Sequence, residues 1–389
     1  MVVVASLAAL LASINHVLAS PGQLPLATHP SRYFDIQAHR GGRGNVVENL
    51  LPAFAWSLID GATTLELDNS VTKDGVVVVW HDEDIVPSKC RDTIPAYEAD
   101  PDFPYVGKTL ANLTLAQIKT LDCGSQRQND FPLQMTYPGT RISTLEEVFD
   151  FVECADREHQ IRWNIESKID PVFPNRTKSV QEFVERQHEL FVRSPYRYQI
   201  TYQSFDWRSL IAMKSLDSMI GTSALVDMDT LVTPDNTTSP WLGGVRLDTF
   251  PGSFGEQVAQ AAHSIGAGIL SPADAATEDF NDPALPGYVP LTTKIMVDKA
   301  HQLGMLVKPW TVCVLAVHNF FRDVSPDKLS QINRLNTAEL LLDTGVDGLI
   351  TDYPNMMRRL AQQKGYHVAP KYPKKRVLGC LQQHLELQK

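Results

Sequence analysis

TTLELDNSVTKDGVVVVWHD, residues 63–82, contains two apolar runs on either side of a Lys-Asp-Gly turn signal at 73–75. Both runs are typical of β-strands. Side chains two positions apart share one face of a strand, so Glu66 and Asp68 point the same way. Two carboxylates on one face repel each other unless a cation lies between them. The pair therefore indicates either a solvated sheet edge or a cation site.

Short apolar runs of this kind recur along the chain and alternate with helical patterns. Such alternation argues for a parallel sheet whose strands are connected by helices. About eight strand–helix units predict an α/β fold, a (β/α)₈ TIM barrel, with a doubly wound open sheet as the alternative. The strand candidates are residues 34–40, 64–68, 76–81, 162–166, 198–203, 221–226, 266–271, 305–310 and 348–352.

One segment interrupts this alternation. Residues 83–142 are rich in Pro, Asp, Gly and Asn, and they are too many for a simple barrel loop. We therefore expect an insertion after the second strand unit, on the catalytic side of the barrel. The expected organisation is a signal peptide at 1–20, a barrel domain at 30–365 and a C-terminal tail with a basic patch at 366–389.

The chain of 389 residues carries a net charge of −10. This acidic balance argues against non-specific binding to nucleic acid or to anionic membranes. It leaves room for a phosphate-bearing small substrate, because the local field of a site can oppose the field of the whole molecule. No pattern in the sequence predicts an oligomeric state.

The N-terminal segment at 1–20 is a short apolar run without acidic or basic residues, and it ends in small residues. This composition is typical of a secretory signal peptide, although the positive n-region is missing; a buried N-terminal helix is the alternative. The run is too short for a membrane span and no other candidate is found, so we expect no integral membrane segment. Sequons at Asn112, Asn175 and Asn236 favour a secreted, glycosylated protein.

The five cysteines show no Cys-x-x-Cys spacing of the kind that binds zinc. In an oxidising compartment some of them would pair, and the odd count leaves at least one unpaired or intermolecular. Cys90 and Cys123 lie in the same loop-rich region, so they are the preferred disulfide.

Polar side chains stand at the ends of several predicted strands. In a barrel the C-terminal ends of the strands converge on one face, where active sites lie. These side chains are therefore expected to meet although they are far apart in sequence. They include His39, Arg40, Glu48, Glu66, Asp68, His81, Glu166, Lys168, Gln203, Lys308, Trp310 and Asp352.

Six sequence blocks in order, spread over roughly residues 34–360, resemble the signature of the glycerophosphodiester phosphodiesterase family. The resemblance implies a (β/α)₈ barrel with an insertion after the second strand unit, a divalent cation, and hydrolysis of glycerophosphodiesters such as glycerophosphocholine. Two positions depart from the family pattern: Leu50 stands where Thr is usual, and Asn69 where an apolar residue is common. Neither change removes a charged group. The blocks are AHRGG, LELDNSVTKDGVVVVWHD, NIESK, QSFD, KPWTV and GVDGLITDYP.

Three of the converging side chains form an all-oxygen set. Glu66, Asp68 and Glu166 would suit Ca²⁺ or Mg²⁺, which prefer oxygen ligands. A divalent cation would relieve the repulsion between the carboxylates and polarise a phosphoryl oxygen. The alternative for Glu166 is an ion pair with Lys168 or Arg162.

Two histidines, His39 and His81, end neighbouring strand units. Phosphodiester cleavage removes a proton from the nucleophile and gives one to the leaving oxygen, and two imidazoles can perform both transfers. We therefore predict that they are the catalytic acid and base.

The remaining site residues are predicted to bind the substrate. Arg40 and Lys168 are expected to hold phosphate oxygens, Arg as a bidentate fork and Lys as a point charge. Glu48 could bind substrate or metal, or orient Arg40. Trp310 is expected to face the pocket, where its ring could contact a choline head group.

No Ser or Cys is placed by the sequence blocks as a nucleophile. The substrate's own glycerol 2-hydroxyl is therefore the predicted nucleophile, which gives a cyclic phosphate that water then opens. The alternatives are a lysophospholipase D or a sphingomyelinase D-like phospholipase on the same barrel, the latter expected to lack the long insertion. A non-catalytic surface or binding protein would be expected to have lost some of these groups, and here all of them are present.

Overall fold

The computed structural model describes residues 33–233, 235, 237–276, 289–312 and 335–388. Within these ranges there are nine strands, and eight of them run parallel in the hydrogen-bonded order β8-β7-β6-β5-β4-β2-β1-β9. The strands are β1 (Asp35–Ala38), β2 (Thr64–Val71), β3 (Val77–Val79), β4 (Arg162–Ser167), β5 (Ile200–Ser204), β6 (Gly221–Val226), β7 (Ile269–Pro272), β8 (Leu306–Val307) and β9 (Gly348–Thr351).

Helices connect most of the strands and cover the outside of the sheet. Short 3₁₀ helices occur at His39–Gly41, Leu110–Asn112, Arg197–Gln199, Pro240–Leu242 and Leu247–Thr249. The α-helices in the described ranges are α1 (Leu51–Asp60), α2 (Leu115–Ile118), α3 (Leu145–Ala155), α4 (Val180–Arg193), α5 (Trp207–Leu216), α6 (Met228–Leu231), α7 (Phe254–Ser264), α8 (Lys294–Gln302), α9 (Leu335–Thr344), α10 (Pro354–Gln363) and α11 (Lys374–Leu387).

The two ends of the strand order are joined by backbone hydrogen bonds. The amide of Asp347 donates to the carbonyl of Val307 at 2.9 Å, and the amide of Ile350 donates to the carbonyl of Pro309 at 2.9 Å. The sheet is therefore a nearly closed parallel barrel of eight strands. The predicted (β/α)₈ barrel is confirmed, and the doubly wound open sheet is excluded.

One predicted strand lies outside the barrel. β3 pairs with β2 in an antiparallel sense, with Asn69 opposite Val79, so the run at 76–81 forms a hairpin with the end of β2. Hydrophobic alternation has the same period in both kinds of strand, so it does not distinguish a hairpin arm from a barrel strand. The hairpin brings the chain back over the C-terminal end of β2, where His81 follows it.

Alternate residues of the strands separate the helix-facing core from the barrel interior. Leu65 and Leu67 of β2 and Trp163 and Ile165 of β4 are fully buried in the main apolar core. Their neighbours in sequence point to the opposite face, which is the interior of the barrel. This alternation directs Glu66 into the interior.

The barrel interior also holds a second group of charges, around Asp35 at the start of β1. Its carboxylate lies 2.7 Å from Lys308 Nζ and 2.8 Å from Arg162 Nη2. Because Asp35 opens its strand, Lys308 and Arg162 belong to the N-terminal half of the barrel. Lys308 is therefore not at the catalytic face, and Glu166 has no ion pair with Arg162 within the described residues.

Residues 83–142 form a compact unit beside the barrel. Their apolar side chains, with Trp80, make a separate small core around Tyr105, Leu113 and Ile118. A disulfide joins Cys90 to Cys123 within this unit. The amide of Val79 donates to the carbonyl of Ser143 at 2.8 Å, so the two ends of the insertion meet at the barrel.

The C-terminal segment packs on the barrel wall. α11 contacts α1 and α3, and a disulfide between Cys154 and Cys380 attaches α11 to the end of α3. The fifth cysteine, Cys313, lies outside the described residues, as does the expected signal peptide at 1–20. None of the helices in the described ranges has the length and apolar composition of a membrane span.

Candidate active site

The centre of the candidate site is a cluster of three buried carboxylates. Glu66 and Asp68 lie on β2, and the register pairs Asp68 with Glu166 of the adjacent β4. One oxygen from each of the three residues lies within 4.8 Å of the others. The structure thus brings together all three predicted metal ligands.

The chemistry of this cluster fits a hard cation. Oε1 of Glu66 and Oδ1 of Asp68 are buried and have no hydrogen-bond partner within the described residues. Burial, together with the charges of the neighbouring carboxylates, raises the pKa of Glu66 well above its usual range. Burial likewise raises the pKa of Glu166 to about 7, against the opposing effect of Lys168. A Ca²⁺ or Mg²⁺ ion would coordinate the oxygens that lack hydrogen-bond partners and would reduce the repulsion between the three carboxylates.

Basic and amide side chains of the protein contact the three carboxylates. Arg40 Nε lies 3.3 Å from Asp68, and the backbone amide of Arg40 donates to Glu66 at 2.6 Å. Lys168 Nζ lies 2.8 Å from Oε1 of Glu166, so the ion pair with Lys168 that was the alternative for Glu166 is formed. Asn49 Nδ2 donates to Asp68 at 2.7 Å. These contacts orient the carboxylates and leave the orphaned oxygens for a ligand.

His39 carries a carboxylate partner. Its Nδ1 lies 2.6 Å from Oδ1 of Asp352, the residue that follows β9. Burial and the charge of Arg43 lower the pKa of His39 to about 4, although Asp352 acts in the opposite direction. The ring is therefore neutral at pH 7, with the Nδ1 proton directed to Asp352 and Nε2 available as an acceptor.

His81 has a similar arrangement. Its Nδ1 lies 3.2 Å from Oδ1 of Asp82. Burial, with the charges of Arg40 and Lys168, lowers the pKa of His81 well below its usual value. Both histidines line one cavity of about 330 Å³, and Nδ1 of each is occupied by a carboxylate. Nε2 of each ring is thus the nitrogen that can exchange a proton with a ligand.

Basic side chains and aromatic side chains line different sides of this cavity, together with the two histidines. Arg40, Arg43 and Lys168 line it together with Glu66 and Glu166. On another side the ring centroids of Phe205 and Trp310 lie 5.2 Å apart, and Trp310 Nε1 donates to the carbonyl of Ser271 at 3.0 Å. Trp310 therefore stands in the pocket, as the sequence predicts.

Glu48 takes a different place. It does not line the cavity; it accepts from Arg40 Nη1 at 3.2 Å and lies 2.7 Å from Lys89 Nζ. Arg40 and Lys89, with Arg43, lower the pKa of Glu48 well below its usual range despite burial, which acts in the opposite direction. Of the three roles open to it from sequence, these contacts match the orientation of Arg40.

Sequence reasoning did not assign roles to several residues of the site. Arg43 reaches Asp352 at 2.8 Å and lies over the ring of Phe131, and Lys89 comes from the insertion. Arg43 follows the first strand by five residues, so its closeness to a strand end could have been noticed. Lys89 could not be recognised in this way, because it lies in an insertion and not at the C-terminal end of a barrel strand.

The predicted glycosylation sites have different surroundings. Asn112 and Asn175 are exposed, in the insertion and in the loop after β4. Asn236 lies outside the described residues.

The chain matches the model of the glycerophosphoryl diester phosphodiesterase family over residues 39–356, which include all of the site residues described above. The chain belongs to this family. Members of the glycerophosphodiester phosphodiesterase family are phosphoric diester hydrolases, so the protein is an enzyme of that class. The family resemblance predicted from the sequence blocks is confirmed.

Individual glycerophosphodiester phosphodiesterases are similar over most of their length. The Bacillus subtilis enzyme is 26% identical over 352 residues, which are 90% of this chain and 91% of that protein. A solved structure from Silicibacter pomeroyi, assigned to the same family, has a TM-score of 0.63 at 26% identity and covers 89% of this chain and 98% of its own. A human lysophospholipase D is 27% identical over 155 residues, 38% of this chain and 49% of that protein.

Proposed function

We propose that the protein hydrolyses glycerophosphodiesters such as glycerophosphocholine to glycerol 3-phosphate and an alcohol, with Ca²⁺ or Mg²⁺ bound by Glu66, Asp68 and Glu166. The observation that carries this proposal is the buried carboxylate cluster with two orphaned oxygens, in one cavity with two neutral imidazoles. A solved structure with a similar fold, at 17% identity, is an Oleispira antarctica phosphodiesterase described as a complex with the product sn-glycerol-3-phosphate, and that product matches the substrate class proposed here.

The phosphate is held by the cations of the cavity. Arg40 and Lys168 are both fixed by carboxylates, so their charges are already oriented before a substrate binds. Arg40 offers its planar fork and Lys168 its point charge to the phosphoryl oxygens. A bound divalent cation would supply further charge neutralisation and polarise a phosphoryl oxygen.

The proton transfers fall to His39 and His81. One neutral imidazole accepts the proton of the glycerol 2-hydroxyl as its oxygen forms a bond to phosphorus. The bond from phosphorus to the head-group oxygen breaks, and the other histidine donates a proton to that oxygen. The negative charge of the bound phosphodiester raises the pKa of this second ring above its value in the empty site and so favours the imidazolium that the step needs. Asp352 beside His39 and Asp82 beside His81 stabilise whichever ring is charged.

The second half of the reaction reverses these transfers. Water attacks the cyclic phosphate, the proton of the water passes to one imidazole, and the ring oxygen at the 2-position leaves with a proton from the other. The products are glycerol 3-phosphate and the two histidines in their starting forms. Reversal is required because each step uses the protonation states that the previous step produced.

A lysophospholipid is the second candidate substrate. This candidate is supported by the similarity of the chain to the human lysophospholipase D and to a rat lysophospholipase D. A lysophospholipid acylated at the 1-position keeps its 2-hydroxyl, so the same attack on phosphorus is open to it.

The complete set of carboxylates, cations and imidazoles argues against a non-catalytic surface or binding protein, which would be expected to have lost some of these groups.

Removal of divalent cations is the test of this proposal. We expect hydrolysis of glycerophosphocholine to stop in excess chelator and to return with Ca²⁺ or Mg²⁺, because three carboxylates without a cation repel each other and the phosphate. Thermal unfolding provides a second measurement: the ion should raise the Tm of the wild type and raise it less in Glu66→Gln. Glu185→Gln, on the exposed face of α4, is the matched control. Undiminished turnover in excess chelator contradicts the proposal.

We further propose that the protein is secreted and glycosylated. The two disulfides and the exposed sequon residues Asn112 and Asn175 support an oxidising, extracellular environment. Mass spectrometry of the protein from its native source should find a chain shortened at the N-terminus and glycans at these asparagines. An intact Met1 without glycans would show that this proposal is wrong.

A further inference from the structure

We propose that Lys89, carried by the insertion, is a positioning residue that fixes His81 for proton transfer and Arg40 for phosphate binding. This inference rests on the proposed function, since it assigns a role within the same site. Lys89 does not line the cavity and is not a catalytic residue. Its effect would be transmitted through the two carboxylates that it binds.

The contacts of Lys89 place it between the two halves of the site. Its ammonium lies 2.5 Å from Oδ2 of Asp82 and 2.7 Å from Oε1 of Glu48. The side chain is only 13% exposed, and the ammonium lies 5.6 Å from the ring centroid of Trp80. One buried cation thus bridges two carboxylates that come from different loops.

The first carboxylate controls the orientation of His81. Oδ1 of Asp82 faces Nδ1 of His81 at 3.2 Å, while Oδ2 of the same carboxylate is occupied by Lys89. A carboxylate held at both oxygens cannot rotate away from the ring, so the Nδ1 proton stays directed to it. The tautomer with Nε2 free toward the cavity is thereby favoured.

The second carboxylate controls Arg40. Glu48 accepts from Arg40 Nη1 at 3.2 and 3.3 Å through its two oxygens and binds Lys89 through Oε1. Lys89 therefore links the phosphate-binding arginine to the histidine through a chain of charged hydrogen bonds. In a buried site such chains are stronger than the same contacts in water.

The insertion is built to hold Lys89 at this position. The amides of Lys89 and Cys90 both donate to the carbonyl of Val86 at 3.1 Å, which closes a turn. The disulfide from Cys90 to Cys123 fixes the residue next to Lys89. The backbone of Lys89 is thus constrained before its side chain meets the carboxylates, which reduces the entropy cost of those contacts.

Kinetics of substituted enzymes test this role. Lys89→Met keeps the apolar stem and removes the charge, and we expect kcat to fall by about 10–100-fold, the scale seen for groups that orient active-site ligands. KM should rise by less than kcat falls, because Glu48, although no longer held by Lys89, still accepts from Arg40. Lys89→Arg should recover most of kcat, since a guanidinium can also bridge two carboxylates. Lys108→Met is the control: Lys108 pairs with Asp102 in the same insertion, away from the cavity.

A double-mutant cycle separates positioning from general destabilisation. If Lys89 acts through Asp82, Lys89→Met should cost little more in an Asp82→Asn background than Asp82→Asn costs alone. The inference is wrong if the losses in kcat of the two single variants multiply in the double variant, or if Lys89→Met keeps a kcat near that of the wild type. Should Lys89→Met fail to fold, Lys89→Gln replaces it under the same criteria. An inactive wild type would instead refute the proposed function, so the two failures are distinguishable.

Discussion

His39→Ala and His81→Ala are each expected to lower kcat by about 10²–10⁴-fold, the usual contribution of a general acid or base. Each substitution removes a ring that lines the cavity and whose Nδ1 is held by a carboxylate. The loss should appear in kcat because the proton transfers occur in the transition state. Steady-state hydrolysis of glycerophosphocholine is the measurement, and the wild type should show a bell-shaped dependence of rate on pH.

The matched control for both variants is His263→Ala. His263 lies on the exposed side of α7, away from the cavity, so its loss should leave kcat near the wild-type value. Circular dichroism and Tm should show that all three variants fold. If either His39→Ala or His81→Ala retains near-full activity in a folded protein, that histidine has a structural role and the acid–base assignment is wrong.

A substrate analogue without the 2-hydroxyl is expected to be almost inert while still binding. No serine or cysteine occurs among the described residues that line the cavity, so the substrate hydroxyl is the available intramolecular nucleophile. Well-oriented intramolecular attack corresponds to effective molarities of about 10⁵–10⁸ M, and the analogue forfeits this advantage.

The experiment follows release of the alcohol from 2-deoxyglycerophosphocholine. Competitive inhibition of glycerophosphocholine hydrolysis by the analogue shows that it occupies the site, and phosphorus NMR of the natural reaction should reveal the cyclic phosphate. Turnover of the analogue at a rate comparable to the natural substrate means that water attacks phosphorus directly. The cyclisation mechanism would then be abandoned, whereas the cation test described above would be unaffected.

The barrel and the centre of its site follow from local patterns in the sequence. Alternation along β2 places Glu66 and Asp68 on one face, and parallel strands bring their C-terminal ends together. Together with the family resemblance of the NIESK block, those two rules predict that Glu166, about a hundred residues later, joins the pair. His39 follows from the same rules, because it stands just beyond β1. His81 follows β3, which is antiparallel and outside the barrel, and it reaches the site through the pairing of β3 with β2.

Other features depend on contacts between distant segments. The pairing of β3 with β2 in a hairpin, the burial of Lys308 beside Asp35, and the contacts of Glu48 with Arg40 and Lys89 have no local signature. A charged side chain can pair with any of several groups of opposite sign, and the pair that forms depends on which of these groups the folded chain brings close to it.

Lys89 shows this difference most clearly. Composition identifies residues 83–142 as an insertion, but an irregular segment has no periodicity from which a side-chain direction could be read. The sequence by itself therefore determines the barrel, the carboxylate cluster and the position of His39, because period and strand direction dictate where those side chains point. Only the folded insertion, held by its own small core and by the Cys90–Cys123 disulfide, brings the Lys89 ammonium between Asp82 and Glu48.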